Sequence, residues 1–271
     1  MSIASLRSHW GFSRMPFAKD LAPSMLHRHP GHSEAVARIS WCVEESAIGV
    51  ITGEVGAGKT VSVRAALASL DESRHTVIYL GNPAIGARGL YLTIVSRLGG
   101  VPRFHKASLI PQAADALATE FSERGRRVIL IVDEGHPLAP DQLEELRLLT
   151  SADMDQTSPF ALVLVGQPTL RARLRLGAFA ALDQRVALRY AIPPMTEVDT
   201  AEYIAHHVRL AGRSDTLFSD DAVARIHNAS RGLPRAVNNL ALQALIAAYA
   251  AKASVVDDKA ARAAVTEVNS E

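Results

Sequence analysis

The octapeptide GEVGAGKT at Gly53–Thr60, directly after the apolar run Ala47–Thr52, constrains this chain more than any other stretch. It fits the pattern G-x-x-x-x-G-K-[ST], with Gly53, Gly58, Lys59 and Thr60 at the defined places. Glycines let the backbone curl so that several N–H groups converge on phosphate oxygens, at the start of a helix whose dipole favours anions. Lys59 adds a point charge toward the β- and γ-phosphates, and the Thr60 hydroxyl suits a Mg²⁺ ligand. Such a loop works between a buried strand and a helix, and the flanking patterns supply both. A phosphate-binding loop is therefore expected over Gly53, Glu54, Val55, Gly56, Ala57, Gly58, Lys59, Thr60 and Val61, with a nucleoside triphosphate as ligand.

A second stretch points to the same chemistry. Arg127–Glu134 reads RVILIVDE, an apolar strand that ends in two carboxylates. At such a strand end Asp133 can hold Mg²⁺ through its water shell, while Glu134 can polarise an attacking water. His136 follows, either relaying the state of the γ-phosphate or simply bonding to loop backbone. No second His/Asp set stands at metal spacing, so a zinc hydrolase is not expected.

The pattern around these motifs alternates. Short β-branched runs at Ile48–Thr52, Thr76–Leu80, Val128–Val132, Ala161–Val165 and Val186–Ile192 read as strands. Between them Thr60–Leu70, Gly89–Leu98, Leu109–Arg124, Gln142–Ser151 and Leu170–Leu182 carry apolar residues at helical spacing. Near-continuous apolar strands separated by helices predict an α/β fold with a parallel sheet covered on both faces. Pro193-Pro194 breaks the alternation, and only helices are predicted beyond it, including Ala236–Ala251 and Asp257–Val268. The expected organisation is an N-terminal segment and helix over 1–46, an α/β core over 47–193 and a helical lid over 194–271. At 271 residues and 48% apolar content, a sizeable core is feasible.

Three later features extend the site. Gln167 follows the strand Ala161–Val165 and sits where a γ-phosphate sensor would, or else caps a turn. Arg185, or as second choice Arg189, lies at the last strand, where a guanidinium can reach a nucleotide held by the next subunit; a surface ion pair is the alternative. Arg235, in Gly232-Leu233-Pro234-Arg235, can fold back onto the phosphates or stay solvated in the first turn of its helix.

Taken in order, Phe12…Pro16-Phe17, TGEVGAGKT, ILIVDEGH, LVGQPTL, DQRVALRY, LFS and GLPRAVNNL resemble the ExeA-like AAA+ ATPases, over nearly the whole chain. Within that group the chain looks most like the transposon-encoded branch related to the TniB and TnsC transposition regulators. The resemblance implies an AAA+ P-loop NTPase with a five-stranded parallel sheet in order 5-1-4-3-2 and a small C-terminal helical lid. It also implies ATP-driven assembly, the roles given above to Gln167, Arg185 and Arg235, and adenine contacts from Pro16, Phe17 and His32. Gly135 departs from the alanine more usual there, and a change in local backbone freedom is expected.

Two implied functions compete. One is an ATPase that forms a ring or filament on double-stranded DNA, without sequence specificity, and recruits or activates a transposase. The other is an ExeA-type secretion ATPase acting on an envelope assembly. The chain ending at Glu271, after the last predicted helix, is expected to favour the first. A P-loop kinase of a small molecule is disfavoured because no separate acid/base set is visible. The net charge of +1 neither demands nor excludes nucleic acid. Arg171, Arg173, Arg175, Arg185 and Arg189, and Arg124, Arg126 and Arg127, are two candidate phosphate-tracking clusters. Cys42, the single cysteine, removes intramolecular disulfides and is expected to be buried. With no secretory signal in MSIASLRSHWGF and no bilayer-length apolar span, a cytoplasmic protein without membrane contact is expected. The pair His206-His207 is expected on an exposed lid face.

Overall fold

The computed structural model describes residues 2–18, 21–151, 158 and 160–270. In chain order the elements are α1 (Ile3–Trp10), α2 (Pro30–Glu44), β1 (Ile48–Thr52), α3 (Lys59–Leu67), β2 (His75–Leu80), α4 (Gly86–Arg97) and α5 (Lys106–Ser122). They continue with β3 (Arg127–Val132), α6 (Pro140–Leu149), β4 (Phe160–Gly166), α7 (Pro168–Leu174), α8 (Ala180–Arg185) and β5 (Val186–Ala191). Four helices follow: α9 (Glu197–Leu210), α10 (Asp220–Ser230), α11 (Pro234–Ala250) and α12 (Asp258–Ser270).

The chain forms two compact units. The larger holds Glu34–Glu54 and Lys59–Ile192; the smaller holds Met1–Ser33, Val55–Gly58 and Pro193–Glu271. In the larger unit five parallel strands pair in the order β2-β3-β4-β1-β5, the order implied by the resemblance. Every residue of β1 and β4 is buried. Their sequences are therefore unbroken apolar runs rather than alternating ones, as a parallel sheet covered on both faces requires. One face packs Val50, Leu130, Leu162 and Leu164 against Leu90, Ile94, Leu109 and Leu117 of α4 and α5. The other packs Ile51, Ile131 and Val163 against Ile39, Val43 and Val63 of α2 and α3. In this order β4 lies between β1 and β3. The carboxyl ends of three adjacent strands thus deliver Gly53, Asp133-Glu134 and Gln167 to one edge of the sheet, where open α/β sheets bind ligands.

The smaller unit has its own core, in which Leu6, Trp10 and Phe12 of the N-terminal segment join Ile204, Ile226, Leu240 and Leu245 of the C-terminal helices. Its helices start as the sequence chemistry dictates: Thr196 caps α9 in a reciprocal box with Asp199, and the Ser219 hydroxyl accepts from the Ala222 N–H of α10. Gly232 (φ 68°) is required there, because a Cβ would stand 2.1 Å from the Met195 carbonyl oxygen.

Two expectations are corrected. Leu170–Leu182 is not one helix: α7 ends at Leu174, a 3-10 turn spans Gly177–Phe179, and α8 begins at Ala180. Leu176 is extended (ψ 141°) and leads into Gly177, which interrupts the helical run. The helical spacing of the apolar side chains survives the break because Leu170, Leu174 and Leu182 still face the same core. His206-His207 is not an exposed pair either, since His207 is 4% exposed. Its ring stacks on Phe17 (5.0 Å) and meets Tyr203 at 4.5 Å.

Candidate functional site: a phosphate loop beside an acidic strand end

The loop between β1 and α3 is shaped by two glycines in the left-handed region, Gly56 (φ 84°) and Gly58 (φ 90°). A Cβ at Gly58 would meet nothing within 4 Å, so this turn borders open space. Lys59 is 6% exposed, and its ammonium donates to the carbonyls of Gly53 and Glu54, both at 2.9 Å. The Thr60 hydroxyl donates to Asp133 Oδ2 at 2.7 Å. Loop, lysine, hydroxyl and carboxylate are therefore together, and this donor set fits a nucleoside triphosphate with Mg²⁺.

Asp133 is 2% exposed and fully engaged. Its Oδ1 accepts from the Glu134 N–H (2.8 Å), and its Oδ2 also accepts from the Tyr79 hydroxyl (2.9 Å). Tyr79 was not singled out from the sequence, because it belongs to no motif and meets Asp133 only through the pairing of β2 with β3. Burial and then the Asp133 hydrogen bond push its phenol up to about 12, so it stays a donor. Glu134 has a φ of 52°, rare for a side chain with a Cβ. Its carboxylate is half-exposed and lies 3.3 Å from His136 Nδ1. On the far side of that ring, Gln167 Nε2 lies 3.2 Å from His136 Nε2. So His136 lies between the two residues expected to act on the γ-phosphate, with no hydrogen bond at its Nδ1 among the described residues. Arg173 fixes the same loop by donating to the carbonyls of His136 and Leu138, both at 2.6 Å.

Residues 43–174 match the AAA domain, and the strand order with its glycine loop has the same meaning. The fold is that of an AAA+ P-loop NTPase. General secretion pathway protein A of Aeromonas hydrophila is 32% identical over 245 residues, covering 89% of this chain and 44% of that protein. The chain thus spans under half the length of this relative. Among solved structures, Cdc6p from Pyrobaculum aerophilum superposes with a TM-score of 0.69 at 17% identity, over 89% of this chain and 67% of that one. The Aeropyrum pernix ORC1 protein in complex with DNA gives 0.67 at 15% identity, over 93% and 68%. The Thermotoga maritima RuvB Holliday junction branch migration motor gives 0.58 at 18% identity, over 88% and 69%.

The other expected residues of the AAA+ site fall as follows. Arg185 ends α8 and donates to the Thr150 hydroxyl at 3.1 Å. Arg189 donates to the Asp183 carboxylate and the Val186 carbonyl, both at 2.9 Å. Arg235 opens α11 in the smaller unit, where its N–H donates to the Gly56 carbonyl at 3.3 Å. A Cβ on Gly56 would stand 2.8 Å from the Arg235 Cβ, which adds a packing reason for glycine there. Phe17 (φ 61°) is 7% exposed and occupied by His207, while His32 is 3% exposed; Pro16, beside Phe17, is buried too. Gly135 is not in the left-handed region, and its added Cβ would meet Val165 O at 3.3 Å. The expected change in backbone freedom is therefore not used.

The two arginine clusters do not form open basic faces. Arg124 and Arg126 both pair with the buried carboxylate of Glu120 (2.8 and 2.7 Å), and Arg127 donates to the Glu44 carbonyl. In the second cluster Arg173, Arg185 and Arg189 are engaged as described, leaving Arg171 and Arg175 at the surface. Among the described residues no helix is long and apolar enough to cross a membrane.

Proposed function

We propose that this protein binds and hydrolyses ATP, and that it uses the nucleotide to assemble on double-stranded DNA and to recruit or regulate a transposase. The observation that carries the ATPase reading is the hydrogen bond from the Thr60 hydroxyl to Asp133, with Lys59 preceding Thr60 in the glycine loop and Glu134 following Asp133 at the end of β3. In this reading the N–H groups of Gly53–Thr60 and the Lys59 ammonium bind the phosphates. Thr60 and Asp133 would hold Mg²⁺, which when bound would supply positive charge to the phosphates. Glu134 accepts the proton of the attacking water, with Gln167 orienting the γ-phosphate end through His136. As the resemblance implies, Arg235 would contact the phosphates and the segment around Pro16-Phe17 and His32 the adenine, and Arg185 would reach the site of a neighbouring protomer. Arg185 is the first candidate for this role and Arg189 the second. The organisation proposed is an N-terminal adenine-side segment, the α/β core and a helical lid, working in the cytoplasm.

A second reading has its own support. Identity of 32% to General secretion pathway protein A favours an ATPase acting on an envelope assembly. Phosphate release and particle size, measured with and without duplex DNA and ATP, separate the two. Rings or filaments formed only with both ligands select the DNA reading. ATP-dependent particles indifferent to DNA, at every length tried, select the secretion reading.

A further inference from the structure

Between Glu72 and Asp115 the sequence contains no acidic residue, yet Arg74, Arg88, Arg97, Arg103 and Lys106 fall in that interval with His75 and His105. The bias meets solvent at the loop Gly99–His105, which joins α4 to α5. Val101 is 86% exposed and Phe104 is 79% exposed, more than any other large apolar side chain among the described residues. Two such side chains on one turn mark a contact surface rather than the scattered apolar exposure of an ordinary monomer.

The loop backbone is held from both sides. Gln112 of α5 accepts from the Arg103 N–H and donates to the Val101 carbonyl, each at 2.9 Å. Arg88 of α4 donates to the Phe104 carbonyl from Nε (3.2 Å) and Nη2 (3.1 Å), with its guanidinium 5.5 Å from the Phe104 ring centre. The Gly100 N–H closes the turn on the Val95 carbonyl at 2.9 Å. Lys106 is neutralised by Glu145. By contrast, the guanidinia of Arg97 and Arg103 have no hydrogen-bond or ion-pair partner among the described residues.

We propose that Gly99–His105 is the element that holds duplex DNA, with Arg97 and Arg103 on phosphates and Val101 and Phe104 wedged against groove-facing sugar and base edges. The proposal rests on the DNA-bound reading above and names its surface. Guanidinia without an ion-pair partner suit a polyanion, and apolar wedges need no base sequence. The clamped backbone spares the ordering cost of binding. A second copy docking through this same loop would bring like charges together, so DNA is the occupant the chemistry favours.

Fluorescence anisotropy of a labelled mixed-sequence duplex, with the full chain and a non-hydrolysable ATP analogue, tests it. Assembly without DNA and the melting temperature are followed in parallel. At about 0.15 M salt, Arg103→Glu is expected to weaken binding at least ~10-fold. Arg97→Ala and Arg103→Ala should each lower the salt slope by about one. Phe104→Ala should weaken binding about 10-fold with the slope unchanged. Tight binding by wild type that all four variants retain overturns this surface and leaves DNA binding standing. No binding by wild type overturns both. Variants that lose only self-assembly, or only flotation with vesicles of anionic lipid, assign the loop to a second copy or a membrane and overturn the proposal.

Discussion

The Thr60 hydroxyl and the Tyr79 hydroxyl donate to the same oxygen, Asp133 Oδ2, at 2.7 and 2.9 Å. This convergence ties the start of α3 and the end of β2 to the acidic end of β3, and it sets the orientation of the carboxylate. Tyr79→Phe keeps the ring and removes one donor. It is expected to leave the melting temperature within about 3 °C while weakening Mg²⁺-dependent ATP binding several-fold, as loss of a supporting hydrogen bond does at metal sites. Titrating Mg²⁺ against a fluorescent ATP analogue measures the shift.

Glu134→Gln should keep nucleotide binding and lower hydrolysis by about 10²–10⁴-fold, the range for loss of a general base. Binding and phosphate release measured on the same preparation decide it. Normal turnover would remove Glu134 from the chemistry.

His136 lies between Glu134 and Gln167, 3.3 Å from the one and 3.2 Å from the other. If the three act as a unit, their substitutions are non-additive. The double variant Gln167→Ala/His136→Ala should hydrolyse ATP no more slowly than the worse single variant. Multiplying defects would mean the contact carries no coupling.

The two candidate arginines predict opposite signatures. Arg185→Ala should bind ATP and fold normally but hydrolyse poorly, with activity returning when it is mixed with Lys59→Ala protomers. Arg189→Ala should instead lose about 1–3 kcal/mol of stability, because its carboxylate and carbonyl partners are left without a donor. Denaturation midpoints and mixing assays read the two apart.

The smaller unit should be acid-sensitive. Burial, then His206 and His29, pulls His27 down to about 4; burial, then His206, His27 and Arg14, pulls His207 down to about 4. Both pKa values are depressed in the folded state, so the unfolded chain binds protons first. Stability is full above pH 6.5 and is lost as pH falls toward 4. His207→Phe should flatten that limb in a melting-temperature series across this range. An unchanged limb would place the acid sensitivity elsewhere.

The parts of this protein that the sequence makes legible are those encoded by neighbours in the chain. Gly53–Thr60 and Val128–Glu134 announce themselves because each carries its chemistry in one short stretch, and the apolar strands follow from burial on both faces. What stays hidden depends on partners far along the chain. Tyr79 joins Asp133 only because β2 pairs with β3. Arg173, read from composition as a phosphate tracker, is instead a clamp on the loop after β3. His207 was expected at the surface with His206, whereas Phe17, far away in the chain, stacks on it.

Equilibrium binding of Mg²⁺–ATP to the wild-type chain and to Lys59→Ala tests the central claim most directly. The account predicts saturable binding that the substitution abolishes while the far-ultraviolet spectrum is unchanged. Equal binding by the two proteins, or none by the wild type, would contradict it.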